Sequence, residues 1–464
     1  MKKTRYFVVV CLLMVSGMLN ADLPTVPIAS GSGLASPDID GGLVAWQGGS
    51  FSTGTDIYWK TFADPNDPNT VSITGDQILP AVNGNIVVWE DRRNGLSDPD
   101  IYWQDVLLHD DPTYPMGLTV TDRQKAPAIS GNIMVWHDRR NGNYDIYGYD
   151  LSGVHLEICT DLASQYEAAV SGNIVVWRDG RDDGYAGNDI YMADISGSAP
   201  YSSVAVAPNS ADQYRPAIDG NIIVWEEIGV GTVSLVAYDI VQGQVVWTRT
   251  QSVSMLNLDI SGNIIVWQEG TTGDYDILGW DLSSGALLEI ASTVSNETVP
   301  AISGRRVVWQ RNDTDIVGAE IPTPTQIAVL SPNGGEMFLA GSEMLIEWDM
   351  VDGTDPVQID IEYSIDNGNS FNQVASDITF DDFEYLWKPI VDVVDSQQCL
   401  IRISDAEDGT VSDITDGAFT VFLCDTSLTA DLSGDCFVGM EDFAEIAGQW
   451  LACGNPYNSS WCVQ

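Results

Sequence analysis

One phrase recurs seven times along this chain. Gly-Gly-Leu-Val-Ala-Trp, Gly-Asn-Ile-Val-Val-Trp and close variants end at Trp46, Trp89, Trp136, Trp177, Trp225, Trp267 and Trp309, at intervals of 43, 47, 41, 48, 42 and 42 residues. A unit of that length is one supersecondary element, too small to bury its own apolar face, so successive units must stack on one another. The period matches a four-stranded blade, and seven copies predict a seven-bladed β-propeller.

The third copy displays the internal order. Ala126 to Ser130 reads as a short first strand, followed by a Gly131-Asn132 turn. Ile133 to His137 reads as a second strand, closed by a turn ending in Asn141-Gly142. Asp145 to Leu151 and His155 to Thr160 supply the third and fourth strands of an antiparallel meander. The second strand does not alternate apolar with polar, as a strand covered on one side would, so both of its faces are predicted to be buried. Trp177 should then face one neighbouring unit and Val176 the other. The seventh copy stops at Pro322 after its third strand. Thr25 to Ser30 precedes the first copy as a fourth strand would, and is expected to complete the seventh blade and close the ring.

The run Trp89-Glu-Asp-Arg-Arg-Asn-Gly95 with Asp100-Ile-Tyr102, and its counterpart Trp136 to Gly142 with Asp145-Ile-Tyr147, resemble the TolB-like propeller repeats of exported and cell-surface proteins. The resemblance spans residues 22–321 and implies the propeller fold. It implies little about activity, because propellers host many. Copies five to seven depart from the motif: Trp225 is followed by Glu226 and Glu227, and Trp309 by Gln310 and Arg311.

Residues 1–21 read as a secretory signal. Lys2, Lys3 and Arg5 precede an apolar run from Phe7 to Val15, and small residues lead to Ala21. Loss of that segment would leave 16 of the 19 basic residues against all 67 acidic ones, a net charge of −51. Such a surface repels nucleic acid and anionic membranes, and no later stretch is long and apolar enough to span a bilayer. The expected location is extracellular or on the cell surface. Cys159 and Cys399 sit in strand-like runs and read as buried thiols. Cys424, Cys436, Cys453 and Cys462 crowd a segment small enough to need two disulfides. Three connectivities are open to them, and the helix expected between Cys436 and Cys453 favours Cys424–Cys436 with Cys453–Cys462.

Two further modules follow. Residues 322–423 carry about seven β-type runs broken by turns such as Asn333-Gly-Gly335 and Asp366-Asn-Gly368, the pattern of an immunoglobulin-like or fibronectin-like sandwich with Trp348 and Trp387 in or near its core. Residues 424–464 form a small α module. Asp431 to Asp442 reads as a twelve-residue calcium loop in which Asp431, Ser433, Asp435, the Phe437 carbonyl and Asp442 supply the hard oxygen ligands that calcium requires. A helix is expected from Asp442 to Leu451, with Phe443, Ile446, Ala447, Trp450 and Leu451 on one face. Loop and helix together resemble a single dockerin repeat. The resemblance implies calcium as cofactor and attachment to a cohesin-like or other protein partner. Cys436 stands where the family favours Gly, and one loop is present where a complete dockerin has two.

Nothing in the chain has the form of a catalytic motif. His109, His137 and His155 fall at unrelated repeat positions, and 67 acids make any one carboxylate pair weak evidence. Six basic residues do recur in or beside equivalent turns of three successive copies: Arg92, Arg93, Arg139, Arg140, Arg178 and Arg181. Either they form a basic arc that holds an anionic glycan through bidentate pairs, or each braces its turn against Asp91, Asp138 or Asp179. The expectation is a secreted, non-catalytic binding or scaffold protein. In it the propeller recognises an extracellular ligand such as a polysaccharide or surface glycan, in association with polysaccharide degradation, and the calcium module attaches it. The alternatives are a propeller enzyme, either a polysaccharide lyase or a glycoside hydrolase, and a structural surface or matrix component.

Overall fold

The computed structural model describes residues 23–449 apart from 51–53, 63, 65, 67, 72, 109–115, 119–122, 182–186, 324–325, 353–357, 380–382, 388–394, 407–410, 424–429, 431 and 433–437. The segment expected to direct secretion (residues 1–21), His109, the four C-terminal cysteines and four of the five residues expected to ligate calcium (Asp431, Ser433, Asp435 and Phe437) lie outside the described residues. The chain divides into two compact units, residues 1–321 and 322–464.

The first unit holds seven four-stranded antiparallel sheets in sequence order. In the third repeat the strands are Gln124–Ser130, Ile133–Asp138, Asp145–Asp150 and Val154–Cys159, within two residues of the sequence reading. The first strands of successive sheets touch one another all the way round, and the seventh contacts the first, so the sheets close into the ring of a β-propeller. Val26–Ser30 pairs antiparallel with Asp315–Glu320 and supplies the outer strand of the last sheet.

The ring is held first by burial. Trp46, Trp89, Trp136, Trp177, Trp225, Trp267 and Trp309 are all at most 1% exposed. Trp177 packs with Val135, Ile146 and Ile158 of the preceding sheet, whereas Val176 packs with Ile223 and Trp225 of the following one. Second strands are therefore apolar on both faces because both faces meet a neighbour. An inner circle of hydrogen bonds then links each sheet to the next. The residue immediately before each turn glycine accepts the N–H of the turn glycine in the following sheet. Asp40 accepts from Gly84 at 2.6 Å, Asn83 from Gly131 at 2.7 Å and Ser130 from Gly172 at 3.0 Å. Ser171 accepts from Gly220 at 2.9 Å, Asp219 from Gly262 at 2.6 Å and Ser261 from Gly304 at 2.9 Å. Ser303 then accepts from Gly41 at 2.8 Å and closes the circle. The seven glycines have φ between 54° and 60°, a left-handed conformation that glycine adopts without a Cβ clash.

The second unit has two sheets around one core. Gln326–Ser331, Met344–Asp352 and Glu384–Trp387 form one sheet; Met337–Leu339, Gln358–Ser364, Asn372–Thr379, Ser396–Asp405, Ser412–Ile414 and Phe419–Phe422 form the other. Ile346 and Trp348 of the first sheet share a buried cluster with Ile361, Ile401 and Phe419 of the second. The sequence reading missed Asn372–Thr379 and Ser412–Ile414. Asn372–Thr379 lies on the sheet's edge and is too polar to display a period, and Ser412–Ile414 is only three residues long. A helix spans Met440–Gln449, starting two residues before its expected span, whose last two residues, Trp450 and Leu451, lie outside the described residues. Phe443 is exposed on it. Cys159 and Cys399 are free and buried.

The link across the closure seam predicts a measurable cost. Ser303→Ala removes the acceptor of the Gly41 N–H and should lower unfolding stability by about 1 kcal/mol, read as a shift of the urea midpoint with unchanged slope. An unmoved midpoint would show that the circle contributes nothing at this position.

Candidate functional site

The six arginines divide into two groups. Arg93, Arg140 and Arg181 turn inward and complete one local device, repeated three times. Asp138 is fully buried and accepts the Trp136 indole N–H at 3.2 Å and the Arg140 backbone N–H at 2.8 Å. The Arg140 guanidinium pairs with the same carboxylate and lies 3.9 Å from the Tyr147 ring centroid. Arg93 repeats this with Asp91, Trp89 and Tyr102, and Arg181 with Asp179, Trp177 and Tyr191. Asn94 and Asn141 donate to Asp100 and Asp145, the acids of the two Asp-Ile-Tyr triplets. The Trp-Asp-Arg-Tyr motif is thus a structural brace that fixes the turn after the second strand. Arg92 pairs with buried Glu90 at 2.8 Å.

Arg139 and Arg178 belong elsewhere. In every repeat the first strand is kinked by a bulge, and a non-glycine residue takes a left-handed conformation there: Ser36, Leu79, Ala126, Glu167, Arg215, Asn257 and Val299, with φ from 47° to 56°. Such strain persists only where the surroundings impose it. These seven residues rim an open cavity of about 420 Å³ at one end of the central channel. The residue after the repeat tryptophan supports the kink. Gln47, Glu226 and Gln268 accept the backbone N–H of Leu79, Asn257 and Val299 in the following repeat, at 2.9, 2.7 and 2.9 Å. In the third and fourth repeats that position holds His137 and Arg178, and the Arg215 N–H bonds Glu167 instead, at 3.0 Å.

Around those two residues runs a strip of alternating cations and rings. The Arg139 guanidinium lies 6.0 Å from the Tyr144 ring, which is 5.1 Å from His137 and 5.2 Å from Tyr166. Tyr166 is 5.7 Å from His137 and 4.7 Å from the Arg178 guanidinium, which is also 5.1 Å from Tyr214. Lys125 is paired in register with His137. Neither Lys125 nor Arg139 has an acidic partner among the described residues, whereas Arg178 has Glu167 at 3.5 Å and Arg215 has Glu226 at 2.5 Å. His137 is only 8% exposed, and its Nδ1 and the Arg178 Nε are buried without partners. Burial, with Lys125 and Arg178 adding their charges, pushes the His137 pKa down to about 4 against a weaker pull from Asp138, so the imidazole is neutral at pH 7. His155 is exposed and contacts Tyr149 alone among the rings. The sequence reading found Arg139 and Arg178 but not Lys125, Tyr144, Tyr166 or Tyr214. The signal it passed over is the pair Gln165-Tyr166 and Gln213-Tyr214 at one repeat position, with Gln124-Lys125 beside them.

Deeper in the channel, Ala81, Ala128, Ala169, Ala217 and Ala301 share one repeat position with Asp38 and Asp259. Asp38 accepts the Val82 N–H at 2.7 Å and Asp259 the Ile302 N–H at 2.8 Å. Burial, with the Asp259 charge adding to it, pushes Asp38 up to about 7, and burial raises Asp259 to about 6. In the C-terminal module, Asp442 is 2% exposed and accepts the Leu432 N–H at 2.7 Å and the Gly439 N–H at 2.6 Å. Its carboxylate therefore draws the two arms of the loop together.

Two outcomes follow from these contacts. Asp138→Ala strands the Arg140 guanidinium and the Trp136 N–H, and should cost about 3–5 kcal/mol by denaturant titration, whereas Arg139→Gln should stay within about 0.5 kcal/mol of the parent. Equal costs would mean that the brace is misassigned. The channel acids set a pH dependence. Their folded pKa values lie above the unfolded ones, so between about pH 4 and 7 the folded state holds more protons and stability falls as pH rises. Asp38→Asn with Asp259→Asn should remove that slope and raise the melting temperature above pH 7 relative to the parent. An unchanged difference between pH 4 and pH 8 would count against the shift.

No family model matches the chain, and no curated protein does. Solved structures similar to it are propellers. The β-propeller domain of the Trilobed protease from Pyrococcus furiosus is 11% identical with a TM-score of 0.49, over 62% of this chain and 95% of that one. The Agrobacterium tumefaciens protein assigned as TolB is 14% identical with a TM-score of 0.34, over 63% and 91%. The CRINKLY WD40 ectodomain of an Arabidopsis thaliana receptor kinase is 8% identical with a TM-score of 0.37, over 62% and 96%.

Proposed function

We propose that this chain is a secreted, non-catalytic binding protein whose seven-bladed propeller recognises an extracellular polysaccharide at the channel mouth of repeats three to five. The observation that carries this reading is the strip from Arg139 through Tyr144, His137 and Tyr166 to Arg178 and Tyr214. Partly exposed tyrosines offer flat faces to sugar rings, and cations stand between them on a body with a large acid excess. Two members of the strip, His137 and Arg178, also occupy the position that three other repeats use to support the kink. Such a break in a structural rule without structural gain is the mark of a working surface.

The rest of the chain serves attachment in this reading. The second unit is an immunoglobulin-like sandwich acting as a spacer. The C-terminal segment is a dockerin-like calcium module that joins the protein to a cohesin-like or other partner, or to the cell surface. Support for calcium comes from the donor set, all oxygens, and from the position of the Asp442 carboxylate facing the loop backbone. Asp431, Ser433, Asp435, the Phe437 carbonyl and Asp442 would hold the ion, which would stabilise the module by mass action.

The test mixes purified protein with insoluble neutral and acidic polysaccharides, with calcium and with chelator. It follows depletion from solution and the appearance of reducing or unsaturated ends. Depletion without new ends is expected, and the double change Arg139→Gln with Tyr166→Ala should weaken it about tenfold or more. New ends would replace this reading with a lyase or glycoside hydrolase. Neither signal would leave a structural surface component.

A further inference from the structure

The chemistry of the strip specifies its ligand more narrowly. We propose that it binds the carboxylate groups of a polyuronate, a polysaccharide of uronic acid residues, and that His137 takes up a proton when the chain docks. This rests on the reading of the strip as a polysaccharide site.

Three features argue for a carboxylate. Arg178 has the Tyr166 and Tyr214 rings close against its guanidinium, so its open approach is along the guanidinium edge. A planar carboxylate fits that edge through two parallel hydrogen bonds and lies in the plane of the guanidinium. Glu167 touches Arg178 only at 3.5 Å, a contact that an incoming carboxylate at hydrogen-bond distance would outdo. Lys125 and Arg139 stand without acidic partners among the described residues, on either side of Tyr144 and His137, and could meet further anionic groups along an extended chain. A neutral glucan would bring no anion to these cations.

The proton follows from the same geometry. His137 meets Lys125 on the strand before it, Arg178 on the strand of the next repeat, and Tyr144 and Tyr166 as uncharged rings. Asp138 on its own strand is committed to Arg140. The two cations that suppress its protonation are the ones a carboxylate would neutralise. Docking therefore relieves the repulsion and supplies an anion near a buried ring whose Nδ1 lacks a partner. Protonation becomes favourable in the complex at a pH where the free site stays neutral. Affinity must then rise as pH falls from the bound-state pKa toward the free-state value of about 4, by up to tenfold per pH unit inside that window.

Calorimetric titration of the full chain tests this with three probes: a mannuronate hexamer, a dextran sulfate fragment and cellohexaose. Titrations run between pH 7 and pH 5, where the uronate stays ionised, in two buffers of different ionisation enthalpy. The uronate is expected to bind more tightly at pH 5 by several-fold, with a net uptake of up to one proton. His137→Asn should abolish the uptake and flatten the pH profile, and Lys125→Gln should weaken uronate binding about tenfold at pH 7. If His137→Asn does not fold, the proton count of the parent decides. Equal affinity for dextran sulfate, or uronate binding with no proton uptake, overturns the inference. Binding of cellohexaose alone overturns it while leaving the polysaccharide reading intact. Binding of none of the three overturns both.

Discussion

A strand that is apolar on both faces must be covered on both sides, and residues 26–321 are arranged to meet that demand. Each central strand carries a tryptophan toward one neighbour and valine or isoleucine toward the other, so no sheet is stable without the two beside it. A linear stack would leave its first and last sheets half uncovered. Closure removes both open faces, which is why a strand from before the first repeat is spent on the seventh sheet. The inner circle of glycine N–H bonds adds little per link, about 1 kcal/mol each. Its effect is geometric, since the side chain directly before each turn glycine ties that turn to the equivalent turn of the next sheet.

A ring so constrained can tolerate local strain. All seven repeats hold a non-glycine residue in the left-handed region at the same bulge, including the β-branched Val299. An isolated hairpin would relax such a kink. Here the neighbours impose it, and in several repeats a glutamine or glutamate from the adjacent sheet holds it in place. The payoff lies at the channel mouth, where the kinks turn side chains from every repeat toward one opening. Variation at the position after the repeat tryptophan, which lies beside these kinks, therefore changes the channel mouth, and the change from glutamine or glutamate to His137 and Arg178 is of this kind.

How much of this was legible in the sequence depends on whether a residue's role is set locally. The repeat period, the strand order and the doubly buried second strand were legible because tryptophan spacing and continuous apolar runs are local signals. The resemblance motif was legible as well, but its meaning was divided. In the turn after Trp136, Arg140 is consumed by Asp138 two residues away, whereas its neighbour Arg139 is left for solvent. Adjacent identical residues cannot be told apart until the strand's alternation assigns one inward and one outward. The strip itself was not legible. Its members lie between residues 125 and 214 and meet only because successive sheets are stacked, and no single repeat contains it.

Charge gives the last constraint. On a chain this acidic, a basic side chain has many carboxylates within reach, and most of the described arginines are paired with one. Lys125 and Arg139 have no such partner among the described residues, where the nearby acids are engaged elsewhere. Asp138 is held by Arg140 and Trp136, Glu226 by Arg215 and the Asn257 N–H, and Glu167 by the Arg215 N–H. The braces and kink supports thus do more than stabilise the ring. By occupying the local carboxylates they leave these two cations without an acidic partner among the described residues, which is the charge pattern that the proposed binding of an anionic ligand needs.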